Sequence, residues 1–542
     1  MRPRLPASVV RLAFVAVAAL ALVATAGTTH AEPDLLIKNG RVFTGASADA
    51  PLVAADIAVT GDRITAVGPG LAGPAKRTID AADLVVSPGF IDLHAHLETL
   101  LEDRAAQSAV RQGVTLALGN PDGGGPVDLA AHFQKISAGG VGLNVAFLVG
   151  HNSVRAQVMG MDNRAPTPAE LDAMRGLVAT AMRAGAFGLS TGLLYLPGTY
   201  SDRAEIVALA RVAAGLGGLY TSHLRKEGLG LLEGVDEAIL IADEAKIPVI
   251  LTHHKAVGTP MHGASVQSLA RVDAARARGL DVMLDQYPYT ATFTSLRVLI
   301  PAWALAGDRA GTSANLARRL ADPAERAKIE QEIDFNLRND RGGGDLSRVQ
   351  FSRFPWKPAL NGKTLRDWAL AEGREPTIAT GVDLVLQGEL HGGASCIFHV
   401  LAEEDVLRIM RHPQTMIASD GRLSRPGQDH PHPRAYGTFP RVLGVYVREK
   451  QNLPLPAALY KMTAQPARRL GLADRGVLRV GAHADLVVFD PAAVADTSTF
   501  DTPHRYPVGI PYVVVNGRVA VDPSGYHDVR AGRILRGPGA AP

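Results

Sequence analysis

A chain of 542 residues with one cysteine, Cys396, can build no internal disulfide framework, and it suits an oxidising compartment where spare thiols are a liability. Net charge is scarce too. The formal excess of +3 at pH 7 is matched by Arg2, Arg4 and Arg11 near the start, so the remainder is close to neutral. No basic patch that would fit nucleic acid or an anionic membrane surface is present. The apolar run Leu12–Val23 is short for a membrane span of about 20 residues. Charged residues, 20% of the chain, are scattered, with no sign of long disordered tracts.

Those three arginines and that apolar run are followed by Thr29-His-Ala31, with small residues at the −3 and −1 positions of a cleavage site before Glu32. The pattern predicts a signal peptide over residues 1–31, export to the periplasm or outside, and no stable membrane insertion after cleavage. A hydrophobic fraction of 46% is ample for a buried core, and the length allows one large domain with an accessory one, or three small ones.

Residues 32–87 read as short alternating strands, such as Leu35–Phe43 and Asp56–Val67, punctuated by Asn39-Gly40 and Gly61-Asp62. The same texture returns over 476–542, in Ala484–Asp490 and Tyr512–Val521, which predicts a small β-sandwich built from both termini. Between them, over 88–475, apolar strand-like runs alternate with alanine-rich helical ones. Examples are strand Gly218–Ser222, helix Leu231–Ala245, strand Pro248–Thr252 and helix Ser265–Arg278. This rhythm predicts an α/β fold with a (β/α)8 TIM-like barrel. From about 301 to 375 it breaks into charged helical text such as Asp322–Arg338, read as an insertion on the loop face, either a lid or a decorating helical layer.

Barrel sites form where strands end, so a polar residue closing an apolar strand is the informative kind. Phe90-Ile-Asp-Leu-His-Ala-His96 ends in His94 and His96, whose spacing puts both imidazoles on one face. Tyr220–His223, Val249–His253 and Met416–Asp420 deliver His223, His253 and Asp420. Four histidines and an aspartate at strand ends predict a metal pocket. His254 points to the other side of its strand, toward the helices, and His151 is structural or an outer partner.

The motifs Pro88–His96, Gly188-Leu-Ser-Thr-Gly192, Ser222-His-Leu-Arg225, His253-His-Lys255, Asp285–Tyr289, Ser419-Asp-Gly421, His430–Phe439 and Gly481–Asp490 resemble the amidohydrolase superfamily, and more closely its N-acyl-D-amino-acid deacylases, or D-aminoacylases. The resemblance spans nearly all of the mature chain. It implies zinc, one or two ions, held by His94, His96, His223, His253 and Asp420, with Asp420 also the proton carrier. The family's cysteine ligand aligns with Asp122, a harder donor that can also bridge two metals. The resemblance places the firmly held metal on Asp122, His223 and His253. It assigns the substrate carboxylate to Lys255, Tyr287 and Arg434, while a family serine aligns with Phe293.

The implied reaction is hydrolysis of a small-molecule N-acyl-D-amino acid to a carboxylate and a free D-amino acid. Two alternatives remain open. One is a dipeptidase acting on an L-residue joined to a C-terminal D-residue. The other is a non-catalytic, metal-binding protein of the same fold. A cyclic-amide hydrolase using a carboxylated lysine fits poorly, because no lysine stands in Leu116–Gly125.

Overall fold

A computed structural model describes residues 32–307 and 311–541, so the signal pattern of residues 1–31 lies outside the described residues. Among the described residues, eight short parallel strands build the barrel: β1 (Phe90–Asp92), β2 (Val114–Gly119), β3 (Asn144–Phe147), β4 (Gly188–Gly192), β5 (Leu219–His223), β6 (Val249–Leu251), β7 (Val282–Gln286) and β8 (Thr415–Ile417). Val149–Gly150 prolongs β3 and pairs with β4, and Gly421–Arg422 pairs in parallel with Ala95–His96 to join β8 back to β1.

Sequence period explains the layers. Alternate residues Ile91, Leu116, Leu118, Leu219, Ile250, Met283 and Met416 form one buried cluster, while Phe90, Val114, Val145, Tyr220, Val249 and Leu284 pack in a second with the helices. The helices carry clear start signals. Thr167 and Glu170 form a capping box on Pro168–Ala184, and Asp202 caps Arg203–Gly215 through the amide of Glu205.

The terminal strands form one continuous nine-stranded sheet. Val85–Pro88, from the N-terminal half, runs antiparallel to Leu486–Phe489 from the C-terminal half, and this pairing joins the two ends of the chain. Val86, Leu486, Val488 and Val514 close over the sheet's own core with Ile37, Ile57 and Ile79. Their neighbours Val85, Val487, Phe489 and Val513 belong to the cluster shared with the barrel. The expected sandwich is therefore a single sheet folded about one core, with its outer face docked on the barrel.

Two segment boundaries differ from the sequence reading. The final sheet strand ends at Tyr526, and residues 532–541 leave the sheet to cross the lower end of the barrel. There the Gly532 amide donates to Val141 O (2.8 Å), Val145 accepts Leu535 N (2.8 Å), and the Gly537 amide donates to Gly185 O (2.9 Å). The tail thus satisfies backbone groups at the entrances of β3 and β4. The insertion is also longer than about 301–375. Thr292–Ser295 and Val349–Arg353 flank Ser395–Phe398 in a three-stranded antiparallel sheet, over a separate core that includes Leu299, Ile333, Phe351, Trp368 and Cys396. Thr292–Ser295 and Val349–Arg353 carry too many polar residues to stand out as strands in the sequence, and Ser395–Phe398 is only four residues long.

A buried polar joint fastens sheet to barrel. Asp485 accepts from the Asn516 amide (2.8 Å) and from Asn144 Nδ2 (3.3 Å), and it pairs with buried Arg475. Removing the carboxylate leaves a buried guanidinium unpaired, which costs about 3–5 kcal/mol. Asp485→Ala is accordingly expected to lower the melting temperature by several degrees in a calorimetric scan; an unchanged melt would show that the joint carries little of the stability.

Candidate metal centre

The inward register of the strands, carried past their ends, delivers the site. Two steps on from Leu219 and Thr221 along β5 stands His223, and two steps on from Met416 and Ala418 stands Asp420. β6 breaks the rule. Alternation from Ile250 would turn His254 inward, but His253 adopts left-handed backbone (φ 36°) and resets the register. His253 then enters the cluster, while His254 Nε2 meets Ser268 Oγ at 2.8 Å on the outer helix Ser265–Ala277. Asp122 and Asp420 share the left-handed conformation (φ 54° and 50°), a cost often found where function fixes a side chain. The turn holding Asp122 requires glycine at 123, where φ is +75° and a Cβ would lie 2.1 Å from Asn152 Oδ1.

Six side chains converge in two groups that share Asp122. His94, His96, Asp122 and Asp420 form one; Asp122, His223 and His253 form the other. In the first, His94 Nε2 lies 3.4 Å from Asp122 Oδ1 and 3.5 Å from Asp420 Oδ1, and His96 Nε2 lies 3.7 Å from Asp122 Oδ2 and 3.2 Å from Asp420 Oδ1. In the second, Asp122 Oδ1 is 3.6 Å from His223 Nδ1 and 3.4 Å from His253 Nε2. Metal bonds of roughly 2.0–2.1 Å in a tetrahedron put neighbouring donors roughly 3.3–3.4 Å apart, so this donor set fits a divalent ion such as zinc. The His223–His253 pair is tighter, at 2.7 Å. Both ring nitrogens of His94 and Asp122 Oδ1 are buried without a hydrogen-bond partner, as expected of groups shaped to hold a cation.

Glu227, absent from the sequence-based site, stands behind the second group. Buried four residues past His223, it lies 3.4 Å from His223 Nε2 and 3.2 Å from His253 Nδ1, the nitrogens facing away from Asp122. A carboxylate behind both rings favours the orientation that turns their opposite nitrogens toward Asp122, and Lys255 Nζ meets His253 Nδ1 at 2.7 Å. Glu227 also pairs with Lys255 (2.5 Å) and with Arg341 (3.0 Å), the latter supplied by the insertion. On the first group, Glu98 meets His96 Nδ1 at 2.7 Å in the same manner.

Burial opposes charge on Asp122, Glu227 and Asp420, yet all three are held below the usual carboxylate range. His94, His253 and His223 outweigh burial at Asp122; His223, Lys255 and His253 do so at Glu227; Arg434, His94 and His96 do so at Asp420. His253 is raised to about 9 because Asp122 and Glu227 overcome burial and the Lys255 charge. Burial and the Asp122 and Glu227 charges push the Tyr195 phenol upward, so it stays an O–H group at the cavity wall.

The groups open into a cavity of about 270 Å³ lined by His96, Asp122, His223, His253 and Asp420, with Lys255 and Tyr287 in its wall. Tyr287 is buried with its hydroxyl unpartnered. Lys255 is not free: besides Glu227 it meets His253 Nδ1 (2.7 Å) and donates to His253 O (2.7 Å). Arg434 pairs with Asp420 Oδ2 at 2.8 Å and lines a neighbouring cavity of about 490 Å³. Arg225 is bound to Glu237 (2.9 Å), and His151 meets Glu205 (2.7 Å) in a buried cluster with Arg155, so both serve structure.

Comparison with known proteins agrees with this geometry. Residues 383–521 match the amidohydrolase family model. The chain is 37% identical to an N-acyl-D-glutamate deacylase of Alcaligenes xylosoxydans xylosoxydans, over 93% of this chain and 96% of that protein. It superposes with a TM-score of 0.79 and 34% identity on the N-acyl-D-glutamate deacylase of Bordetella bronchiseptica, solved with zinc and a phosphonate mimic of the tetrahedral intermediate, covering 93% of this chain and all (100%) of that one. A D-aminoacylase structure addressing the role of its binuclear metal centre matches with a TM-score of 0.78 and 35% identity, covering 93% and 100%. This chain belongs to the N-acyl-D-amino-acid deacylase, or D-aminoacylase, family of the amidohydrolase superfamily.

Proposed function

We propose that this chain is a zinc-dependent hydrolase of N-acyl-D-amino acids, with the ion or ions held by His94, His96, Asp122, His223, His253 and Asp420. The observation that carries the reading is the single buried carboxylate of Asp122, 3.4 Å from His94 and 3.4 Å from His253 and so common to both donor groups. Zinc in this setting supplies Lewis acidity toward the amide carbonyl and lowers the pKa of the attacking water. Asp420 takes the proton from that water as its oxygen bonds to the carbonyl carbon. It then returns the proton to the amide nitrogen, so that the C–N bond breaks with an amine leaving. Arg434, 2.8 Å from Asp420 Oδ2, fixes the orientation of that carboxylate. Arg434 and the unpartnered Tyr287 hydroxyl are the groups best supported for gripping the substrate carboxylate, with Lys255 an indirect contributor through Glu227.

A dipeptidase reading draws on the neighbouring cavity of about 490 Å³, whose lining includes Arg353, Gln428, Asp429 and Ser424 and would suit an aminoacyl group better than a fatty chain. Export before action rests on the residues 1–31 pattern alone.

Four outcomes test these readings. The purified protein should contain zinc and hydrolyse N-acetyl-D-amino acids, with kcat/KM for an L–D dipeptide panel deciding between the two substrates. Asp420→Asn should then lower kcat by about 10²–10⁴-fold while zinc remains; metal without turnover in the wild type would favour a binding protein. Glu227→Gln should weaken zinc by about 10–100-fold in chelator competition, and unchanged affinity would rule out its orienting role. Expressed from the full reading frame, the mature protein should begin at Glu32 by intact mass and fractionate outside the cytoplasm; an uncleaved start would refute export by this route.

A further inference from the structure

Five cationic side chains line the two cavities at the barrel mouth, and four are already paired. Lys255 and Arg341 share Glu227, Arg434 holds Asp420, and Arg353 lies 3.6 Å from Asp429. Arg422 differs. Among the described residues it has no side-chain hydrogen bond or ion pair, and its guanidinium rests 5.3 Å from the centre of the Phe293 ring. Glu98 feels its charge but gives a carboxylate oxygen to His96 Nδ1 at 2.7 Å.

The position of Arg422 is fixed by its strand. Gly421–Arg422 pairs in parallel with Ala95–His96, setting Arg422 opposite His96 and two residues beyond Asp420. Phe293, on the insertion strand Thr292–Ser295, lies against both Arg422 and Arg434, whose guanidinium carbon is 5.5 Å from the ring centre. Both Arg422 and Phe293 line the smaller cavity that holds the metal donors and the larger one beside it. An aromatic face steadies a guanidinium without neutralising it or using its N–H groups. The result is a held cation with its full donor fork available at the junction of the two cavities.

We propose that Arg422 is a specificity-determining residue that receives a second carboxylate of the substrate. This rests on the deacylase reading. The carboxylate next to the scissile amide must lie close to the reacting groups, within reach of buried Arg434 and Tyr287. Arg422 is exposed and farther out, so its counterpart is an anionic group carried elsewhere on the substrate: an acidic D-side chain, or the free end of a dicarboxylic acyl group. A planar fork matches a carboxylate in bidentate fashion and rejects the neutral amide of the same shape.

The test uses the full mature protein and two matched pairs: N-acetyl-D-glutamate against N-acetyl-D-glutamine, and N-succinyl-D-alanine against its succinamide analogue. The wild type should prefer the dicarboxylate of one pair by about tenfold or more in kcat/KM, and the responding pair identifies the source of the anion. Arg422→Met should bring that ratio to about one, with Arg422→Lys intermediate. A wild type without preference in either pair overturns the proposal. So does a loss shared equally by both members of a pair, which would assign Arg422 to the carboxylate next to the amide. If no N-acyl-D-amino acid is turned over, the deacylase reading fails separately, and calorimetric binding of D-glutamate against D-glutamine, and of succinate against succinamate, still decides: equal affinity within each pair in wild type and Arg422→Met overturns the assignment.

Discussion

The mouth of this barrel has to hold several buried carboxylates close together, and Asp122 is where that constraint is tightest. Its Oδ1 lies 3.4 Å from His94, 3.6 Å from His223 and 3.4 Å from His253, so one oxygen faces donors from three different strands. A lone carboxylate buried there would cost several kcal/mol and would protonate instead. The ring of imidazoles, and a cation in their midst, make the charged form tenable. The same constraint propagates outward. Behind His223 and His253 stands the Glu227 carboxylate, 3.4 and 3.2 Å from their other nitrogens, and Glu227 in turn needs Lys255 and Arg341. Charge is balanced shell by shell, and the left-handed backbone at Asp122, His253 and Asp420 is the local strain that the arrangement tolerates.

How far the sequence reveals this depends on whether a residue's position follows a period. His223 and Asp420 are legible because alternation along an apolar strand runs on to its last residue in β5 and just beyond the end of β8. His253 is legible by its type and by family resemblance, whereas its geometry depends on a φ of 36° that alternation does not predict. Asp122 is located by counting from Gly113-Val-Thr115. Glu227 escapes because it lies in the loop after β5, with no strand or helix period to mark it. Its role appears only when Lys255 and Arg341, 114 residues away from it in sequence, fold against it. The signal that could have found it is its spacing, four residues after a ligand histidine in the charged run His223-Leu-Arg-Lys-Glu227.

The barrel and its terminal sheet were legible for a related reason, since alternating apolar residues dictate both. The insertion was not. The paired positions of Thr292–Ser295 and Ser395–Phe398 lie at least 100 residues apart, from Ser295 to Ser395; the first is mostly polar and the second only four residues long, so neither announces a strand. Their pairing is a long-range event set by the core of Phe351, Phe354 and Trp368, which brings together segments that local propensity leaves undecided.

This matters for how the insertion is understood. It is neither a detached lid nor decoration, because it contributes Arg341 to the Glu227 network and Phe293, Thr294 and Ser395 to the cavity wall. Thr294 Oγ1 also donates to the Tyr195 hydroxyl at 3.1 Å, tying a phenol at the cavity wall to the insertion sheet. Any displacement of this unit would remove a counter-ion from the carboxylate that orients two imidazoles, and would reshape the wall against which substrate binds. Substrate recognition and the posture of the metal donors are therefore mechanically one problem in this fold. The chain places both on the same small sheet, held over the barrel by a core of its own.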